Sequence, residues 1–144
     1  MRPRKSEINR TVLHDMRKIY YREDTPYIDW MGYKITDENK PSYHHIEKKE
    51  DLKKEEKDPT ASVENGAYLG KKSHELLHRI EIVDKDLYDS WNYLFLVINR
   101  MKCYPIEDLW KMVDILRQKT EELFSLDSKT LRKKRKETAK QKSM

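Results

Sequence analysis

The sequence predicts a mostly helical α+β fold built as a single domain. Charged residues make up 40% of the 144 residues, and only three are glycine, a composition that favours helix over sheet. Apolar residues recur at three- and four-residue steps in several long stretches, whereas the part after the first stretch has shorter, strand-like spacing. A chain of this length buries one modest core. We therefore expect one domain over residues 1–126 and a separate tail.

The first predicted helix covers residues 5–21, with Ser6 as the expected N-cap. His14 lies beside its apolar stripe, and we interpret it as an ordinary, partly exposed helix histidine. Basic residues give the other face a positive charge that suits a phosphate backbone or simply solvent. The apolar stripe consists of Ile8, Val12, Leu13, Met16, Ile19 and Tyr20.

Shorter elements are expected after this helix. Residues 27–35 predict an irregular hairpin or knuckle that turns at Gly32, and residues 42–46 predict a short strand. Residues 47–58 hold five lysines and six acids, with Leu52 as the one apolar side chain. Such a composition is typical of a solvated excursion. We interpret this segment as an insertion rather than a site.

The second half of the chain is predicted to be helical. One helix is expected at 72–83, a second at 86–102, and a third from Pro105 to residue 124. The last two form an antiparallel hairpin, residues 86–124, that packs with the first helix around the smaller elements. Its apolar seam suits an intramolecular core or a dimer interface. We expect the core, and hence a monomer.

The C-terminal tail, residues 127–144, is strongly basic. Its eight lysines and arginines outnumber its two acids by six, so the net charge of the tail exceeds the net charge of +5 of the whole chain. We expect it to be disordered, and either to keep the protein soluble or to attract a polyanion. No apolar run approaches the ~20 residues that cross a bilayer, and no signal-peptide core follows the basic start. We therefore expect a cytoplasmic protein with no membrane partner.

Four of the five histidines lie within residues 44–78. His74 and His78 are one helical turn apart and project from the same face, where two imidazoles can share one metal ion. Such a pair is weak evidence alone, because the spacing arises often. In a strand, His44 and His45 point to opposite faces. One is then available as a third ligand and the other as a base, with an ordinary pKa of about 6.5.

The order and spacing of these residues resemble the ββα-metal motif of the HNH endonuclease family, most closely the double-histidine members such as the nuclease colicins. His-His-Ile is followed by Asn-Gly and then by the histidine pair on a helix, within a ββα core at 27–83. The resemblance implies that His44, His74 and His78 hold a metal ion. It also implies that His45 is the general base and that Asn65 pins the loop that orients it.

One feature of the family pattern is missing. Many members carry two Cys-x-x-Cys pairs that bind a structural zinc ion. The matching positions here hold Ile28 and Met31 in the first pair, and Gly70 and Ser73 in the second. We expect no structural zinc, and we expect Ile28 and Met31 to pack as apolar side chains instead.

The resemblance implies hydrolysis of DNA phosphodiester bonds with one divalent metal ion, for which zinc, nickel, magnesium and manganese remain open. The metal would neutralise charge on the phosphate and the leaving 3′-oxygen while His45 accepts a proton from water. Lys71, Lys72 and Arg79 flank the histidine pair and are the expected phosphate contacts, although charged helix residues are commonly just solvated. No base-reading element is visible, so we expect weak sequence preference.

Two other functions remain open at this point. The first is a catalytically inactive ββα protein that binds nucleic acid or assists its packaging. The second is a protein–protein adaptor in which the four histidines form a structural metal clip. A phage or mobile-element origin would fit the family.

Overall fold

The computed structural model describes residues 4–23, 25–56, 58, 60–104 and 107–124. Within these ranges the fold is mostly helical α+β, as predicted, with a two-stranded antiparallel sheet. No described helix combines the length and the apolar character that a membrane span requires. The predicted tail and Pro105 lie outside the described residues. The elements are α1 (Lys5–Tyr20), β1 (Pro41–His45), α2 (Lys49–Lys54), β2 (Gly66–Gly70), α3 (Lys71–Val83), α4 (Lys85–Met101) and α5 (Glu107–Phe124).

The two strands form a hairpin that runs directly into helix α3. His44 pairs with Ala67, and His45 pairs with Gly66. Strand β2 ends at Gly70, and α3 begins at the next residue. A Cβ atom at Gly70 would lie 2.1 Å from Asn39 Oδ1, so this close approach requires glycine. Because β2 pairs with β1 and leads directly into α3, strand β1 lies beside the first turns of α3.

Helices α1 and α4 pack on the hairpin, and α5 packs on α4, around a core rich in aromatic side chains. Trp30, Trp91 and Phe95 are fully buried there, and the Trp91 indole N–H donates to Thr120 Oγ1 of α5 at 2.9 Å. The Trp30 and Phe95 rings pack at a tilt of 50°, and the Trp91 and Phe95 rings are stacked at 27°; such ring pairs add to the stabilisation from apolar burial. Helix α4 packs on the face of the sheet that carries His44, and α1 packs on the face that carries Tyr43 and His45.

The predicted first helix is present, with two differences in detail. Arg4, and not Ser6, is its N-cap. Leu13, Met16 and Tyr20 are buried, but Ile19 is 46% exposed. The apolar stripe is therefore narrower than predicted, because only the residues that face the hairpin find partners.

The described part of the lysine-rich excursion is largely exposed, as predicted, but it contains a helix, α2, that packs on the protein through Leu52. Leu52 of α2 is only 6% exposed. The Lys48 ammonium, just before α2, lies 2.6 Å from the Glu81 carboxylate of α3. A single buried leucine and one ion pair between elements therefore anchor α2 to the body of the protein.

Asp29 joins the turn after α1 to the start of α3. Its Oδ1 accepts the backbone N–H groups of Met31 at 3.0 Å and Tyr33 at 2.9 Å. Its Oδ2 accepts the N–H of Gly70 at 2.9 Å, and the Ser73 side chain adds a further hydrogen bond. Burial raises the pKa of Asp29, and these four hydrogen bonds oppose that rise.

Three of these four partners, Met31, Gly70 and Ser73, stand at positions where the resemblance places zinc-binding cysteines. A carboxylate with backbone donors therefore connects the two segments that two cysteine pairs connect in many members of that family. Met31 is fully buried in the core, as predicted. Ile28 is only half-buried and forms an isolated bridge with Lys34.

Replacing Asp29 with asparagine tests this connection. The amide keeps the shape of the carboxylate. Its NH₂ group, however, is a donor and would face a backbone N–H that now donates a hydrogen bond to a carboxylate oxygen. We expect Asp29→Asn to lower the free energy of unfolding by about 1–3 kcal/mol, measured by urea denaturation. The exposed Asp37 provides the control, because Asp37→Asn should change stability by less than about 0.5 kcal/mol. Equal stability of both variants would show that the connection contributes nothing.

Candidate functional site

The structure brings the three predicted ligand histidines together. The ring centroids of His44 and His74 are 5.3 Å apart, and those of His74 and His78 are 4.7 Å apart. The first histidine comes from β1 and the other two from successive turns of α3. The cluster thus forms where the hairpin meets the helix.

His44 is held by a polar partner that the sequence did not reveal. It is 4% exposed, and its Nε2 lies 2.8 Å from Asn92 Oδ1 of α4. Asn92 also hydrogen-bonds the Tyr88 side chain. An amide that donates its N–H to Tyr88 presents its oxygen to His44. The network therefore assigns the proton to His44 Nε2 and leaves the lone pair on Nδ1.

His74 is oriented from strand β1. Its Nδ1 lies 2.9 Å from the Ser42 hydroxyl, and Ser42 shares a strand face with His44 because they are two residues apart. This bond occupies one ring nitrogen and leaves Nε2 as the remaining donor atom. His44 and His74 therefore each have one nitrogen engaged by an outer partner, as metal-binding imidazoles almost always do.

Burial keeps the imidazoles of His44 and His74 neutral. Burial, followed by repulsion from the neighbouring histidines, lowers the pKa of His44 to about 3, although the bond to Asn92 opposes the shift. The same two causes lower the pKa of His74 to about 4. Both rings are therefore uncharged at neutral pH, which is the form that binds a metal ion.

The rings do not converge as a finished coordination site. Across the described ranges, no three His, Cys, Asp or Glu side chains are grouped so that they could hold a metal ion. The His74 and His78 rings stack at 26°, so their faces, and not their nitrogens, oppose each other. The chemistry of the donor set still fits a transition-metal ion, because imidazole is a good ligand for zinc and nickel. The metal site remains a prediction.

His45 lies on the opposite face of β1 from His44. Its ring packs edge-on against Tyr43, with centroids 4.7 Å apart at 85°. The Tyr43 hydroxyl donates to the Ser62 carbonyl at 2.7 Å and fixes that ring in turn. His45 is half-buried and borders a cleft of about 250 Å³ between α1 and α2. The two neighbouring histidines therefore have separate surroundings, as strand alternation predicts.

Asn65 restrains the backbone that follows His45. Its Oδ1 accepts the Glu47 N–H at 2.8 Å, and its Nδ2 donates to the Glu47 carbonyl at 3.0 Å. The Asn65 backbone carbonyl accepts the Ile46 N–H at 2.9 Å. These bonds join Ile46 and Glu47, which follow β1, to Asn65, which precedes β2. They therefore restrict the backbone on the C-terminal side of His45.

The predicted phosphate contacts occupy different places. Lys71 and Lys72 are exposed at the start of α3. The Arg79 guanidinium lies over the Phe124 ring, 4.7 Å from its centroid, and so belongs to the contact between α3 and α5. Lys71 borders a groove along α1.

Sequence reasoning missed two residues of the site. Ser42 carried a usable signal, because a residue two positions before His44 shares its strand face. Asn92 lies 48 residues from its partner His44, and in the sequence it is one more polar residue on an amphipathic helix. Only the packing of α4 against the hairpin brings it to the histidine.

The sequence matches no protein-family model, and neither a curated protein nor a solved structure matches it.

The hydrogen bond between His44 and Asn92 predicts a tautomer. In the metal-free protein near neutral pH, a two-bond ¹H–¹⁵N correlation spectrum should show His44 with its proton on Nε2. Asn92→Leu removes the acceptor and should change the His44 pattern. Tyr93→Ala, at an exposed neighbour on the same helix, should leave it unchanged. A wild-type His44 protonated on Nδ1 would contradict the assigned network.

Proposed function

We propose that this chain is a metal-dependent endonuclease of the HNH type that hydrolyses DNA phosphodiester bonds. One observation carries the proposal: a hairpin and helix gather His44, His74 and His78, while His45 occupies the opposite strand face. Asn65 bonds to the backbone that follows His45. This arrangement supports separate roles for the ligands, the base and the brace.

The three clustered histidines are the proposed metal ligands. A divalent ion held there would act as a Lewis acid and stabilise the negative charge that develops on the phosphate. His44 and His74 supply neutral imidazoles whose orientation is fixed by Asn92 and Ser42. Imidazole ligands favour zinc or nickel over magnesium and manganese, which prefer oxygen.

His45 is the proposed general base. A neutral imidazole can accept a proton from water as a general base. The His45 ring borders a cleft in which a substrate phosphate would lie beside the imidazole. Tyr43 packs against the ring, and Asn65 holds the following residues. These contacts would keep the imidazole aimed at the attacking water, so that cleavage leaves 5′-phosphate and 3′-hydroxyl ends.

A second function is favoured by a different observation. The stacked rings of His74 and His78 do not converge on one point, and a groove lined by several cations runs along α1. Both features suit a catalytically inactive ββα protein that binds nucleic acid or assists in its packaging. Cleavage activity distinguishes the two functions.

Plasmid nicking in the presence of added divalent metals tests the proposal. The wild type should nick supercoiled DNA with at least one of zinc, nickel, magnesium or manganese. His45→Ala should lose about 10²- to 10⁴-fold in rate, the usual contribution of a general base, with its metal content unchanged. His74→Ala should lose both cutting and metal. Lys111→Gln, on exposed α5, should cut like the wild type.

The outcomes separate the assignments. Equal background cleavage by the wild type and both histidine variants would refute the nuclease function. Loss of metal from His45→Ala would show that the roles of His44 and His45 are exchanged.

A further inference from the structure

Lysines from two helices surround the cleft beside His45. Lys5 and Asn9 of α1 line one wall, and Lys49 and Lys53 of α2 line another. No aspartate or glutamate is among the described residues that line it. The cleft therefore combines three positive charges with His45, the histidine of the doublet that the proposed metal cluster does not use.

The orientation of α2 explains this concentration of charge. Lys49 and Lys53 are one turn apart and project from the same side of the helix. Leu52 is buried and fixes the rotation of α2, while Asp51 borders a different cavity on the other side. Helix α2 thus directs Lys49 and Lys53 toward the cleft and Asp51 away from it, although the segment as a whole carries almost no net charge.

The three lysines are not neutralised within the protein as the structure describes it. Over the described ranges, none of Lys5, Lys49 and Lys53 forms an ion pair with a carboxylate. Like charges gathered around one concavity repel each other, and an anion bound between them would remove that repulsion.

A larger groove continues from the cleft along α1. Asn9 lines both cavities, and the groove has a volume of about 560 Å³. Its described lining also contains no acid. Helix α1 is about 24 Å long, which matches the rise of about seven base pairs of DNA. The cations that line the groove are Arg10, Arg17, Lys40 and Lys71.

We propose that the cleft of Lys5, Lys49 and Lys53 binds the phosphodiester backbone of DNA beside His45, and that the α1 groove carries the adjoining phosphates. The inference rests on the proposed function for the choice of DNA as the ligand. It assigns a binding role to α2, which the sequence had marked as an insertion. Contacts to phosphates alone would bind without sequence preference.

DNA affinity measured without metal tests the cleft separately from catalysis. Fluorescence anisotropy with a labelled duplex, in EDTA and over a range of salt concentrations, compares the wild type with Lys49→Gln/Lys53→Gln. We expect the affinity of the double variant to fall about tenfold or more. The slope of log K against log salt should fall by about 1.8, the value for two lost phosphate contacts. Lys111→Gln/Lys119→Gln removes the same charge from exposed positions on α5 and should keep the slope.

Equal losses in the two double variants would show that binding follows net charge, and would overturn the proposal. It is also overturned if the cleft variant binds like the wild type, or if the wild type does not bind DNA. If the wild type nicks DNA while the cleft variant binds normally, the cleft is wrong and the nuclease function stands. If only the cleft variant loses binding and no metal supports nicking, the cleft stands and the nuclease function is wrong.

Discussion

The hydrogen bonds of the Asp29 carboxylate hold the hairpin and helix α3 at one fixed junction. One oxygen closes the turn at Met31 and Tyr33, and the other accepts the N–H of Gly70, where β2 ends and α3 begins. His74 lies one helical turn beyond that junction. The hydrogen bond between the His74 ring and the Ser42 hydroxyl of β1 therefore depends on the position at which Asp29 holds the start of α3.

A buried carboxylate is costly unless its oxygens are hydrogen-bonded. Three backbone N–H groups and Ser73 meet that need around Asp29. The Tyr104 hydroxyl donates to the Asp29 backbone carbonyl at 2.6 Å, and so joins the region after α4 to the same point. The core and the histidine cluster thus share one polar anchor, which does not depend on a metal ion.

Strand β1 divides the candidate site into two environments. On one face, burial keeps His44 and His74 neutral. On the other face, His45 borders a lysine-lined cleft. Gly66, the partner of His45 across the hairpin, makes this packing possible, because a Cβ there would lie 2.5 Å from the Tyr43 ring. The proposed metal ligands and the proposed base therefore lie close together in the chain but in different surroundings.

Local patterns predicted the four long helices and the division of the histidine doublet, because both follow from short-range periodicity. The observed helices α3 and α4 begin within one residue of the predicted positions. Contacts between distant segments were not predictable in this way. Asp29 reaches Gly70 across 41 residues, and His44 reaches Asn92 across 48. Leu52 anchors α2 as one apolar residue in a charged segment, and a single residue creates no periodic signal.

X-ray absorption at the metal edge tests the central claim most directly. Protein loaded with one equivalent of zinc should show nitrogen or oxygen ligands at about 2.0–2.1 Å, with scattering from three imidazoles. His78→Ala should reduce the imidazole count to two, and His45→Ala should leave it at three. The same count in the wild type and both variants, or no stoichiometric binding of zinc, would contradict the assignment of His44, His74 and His78 as a metal site.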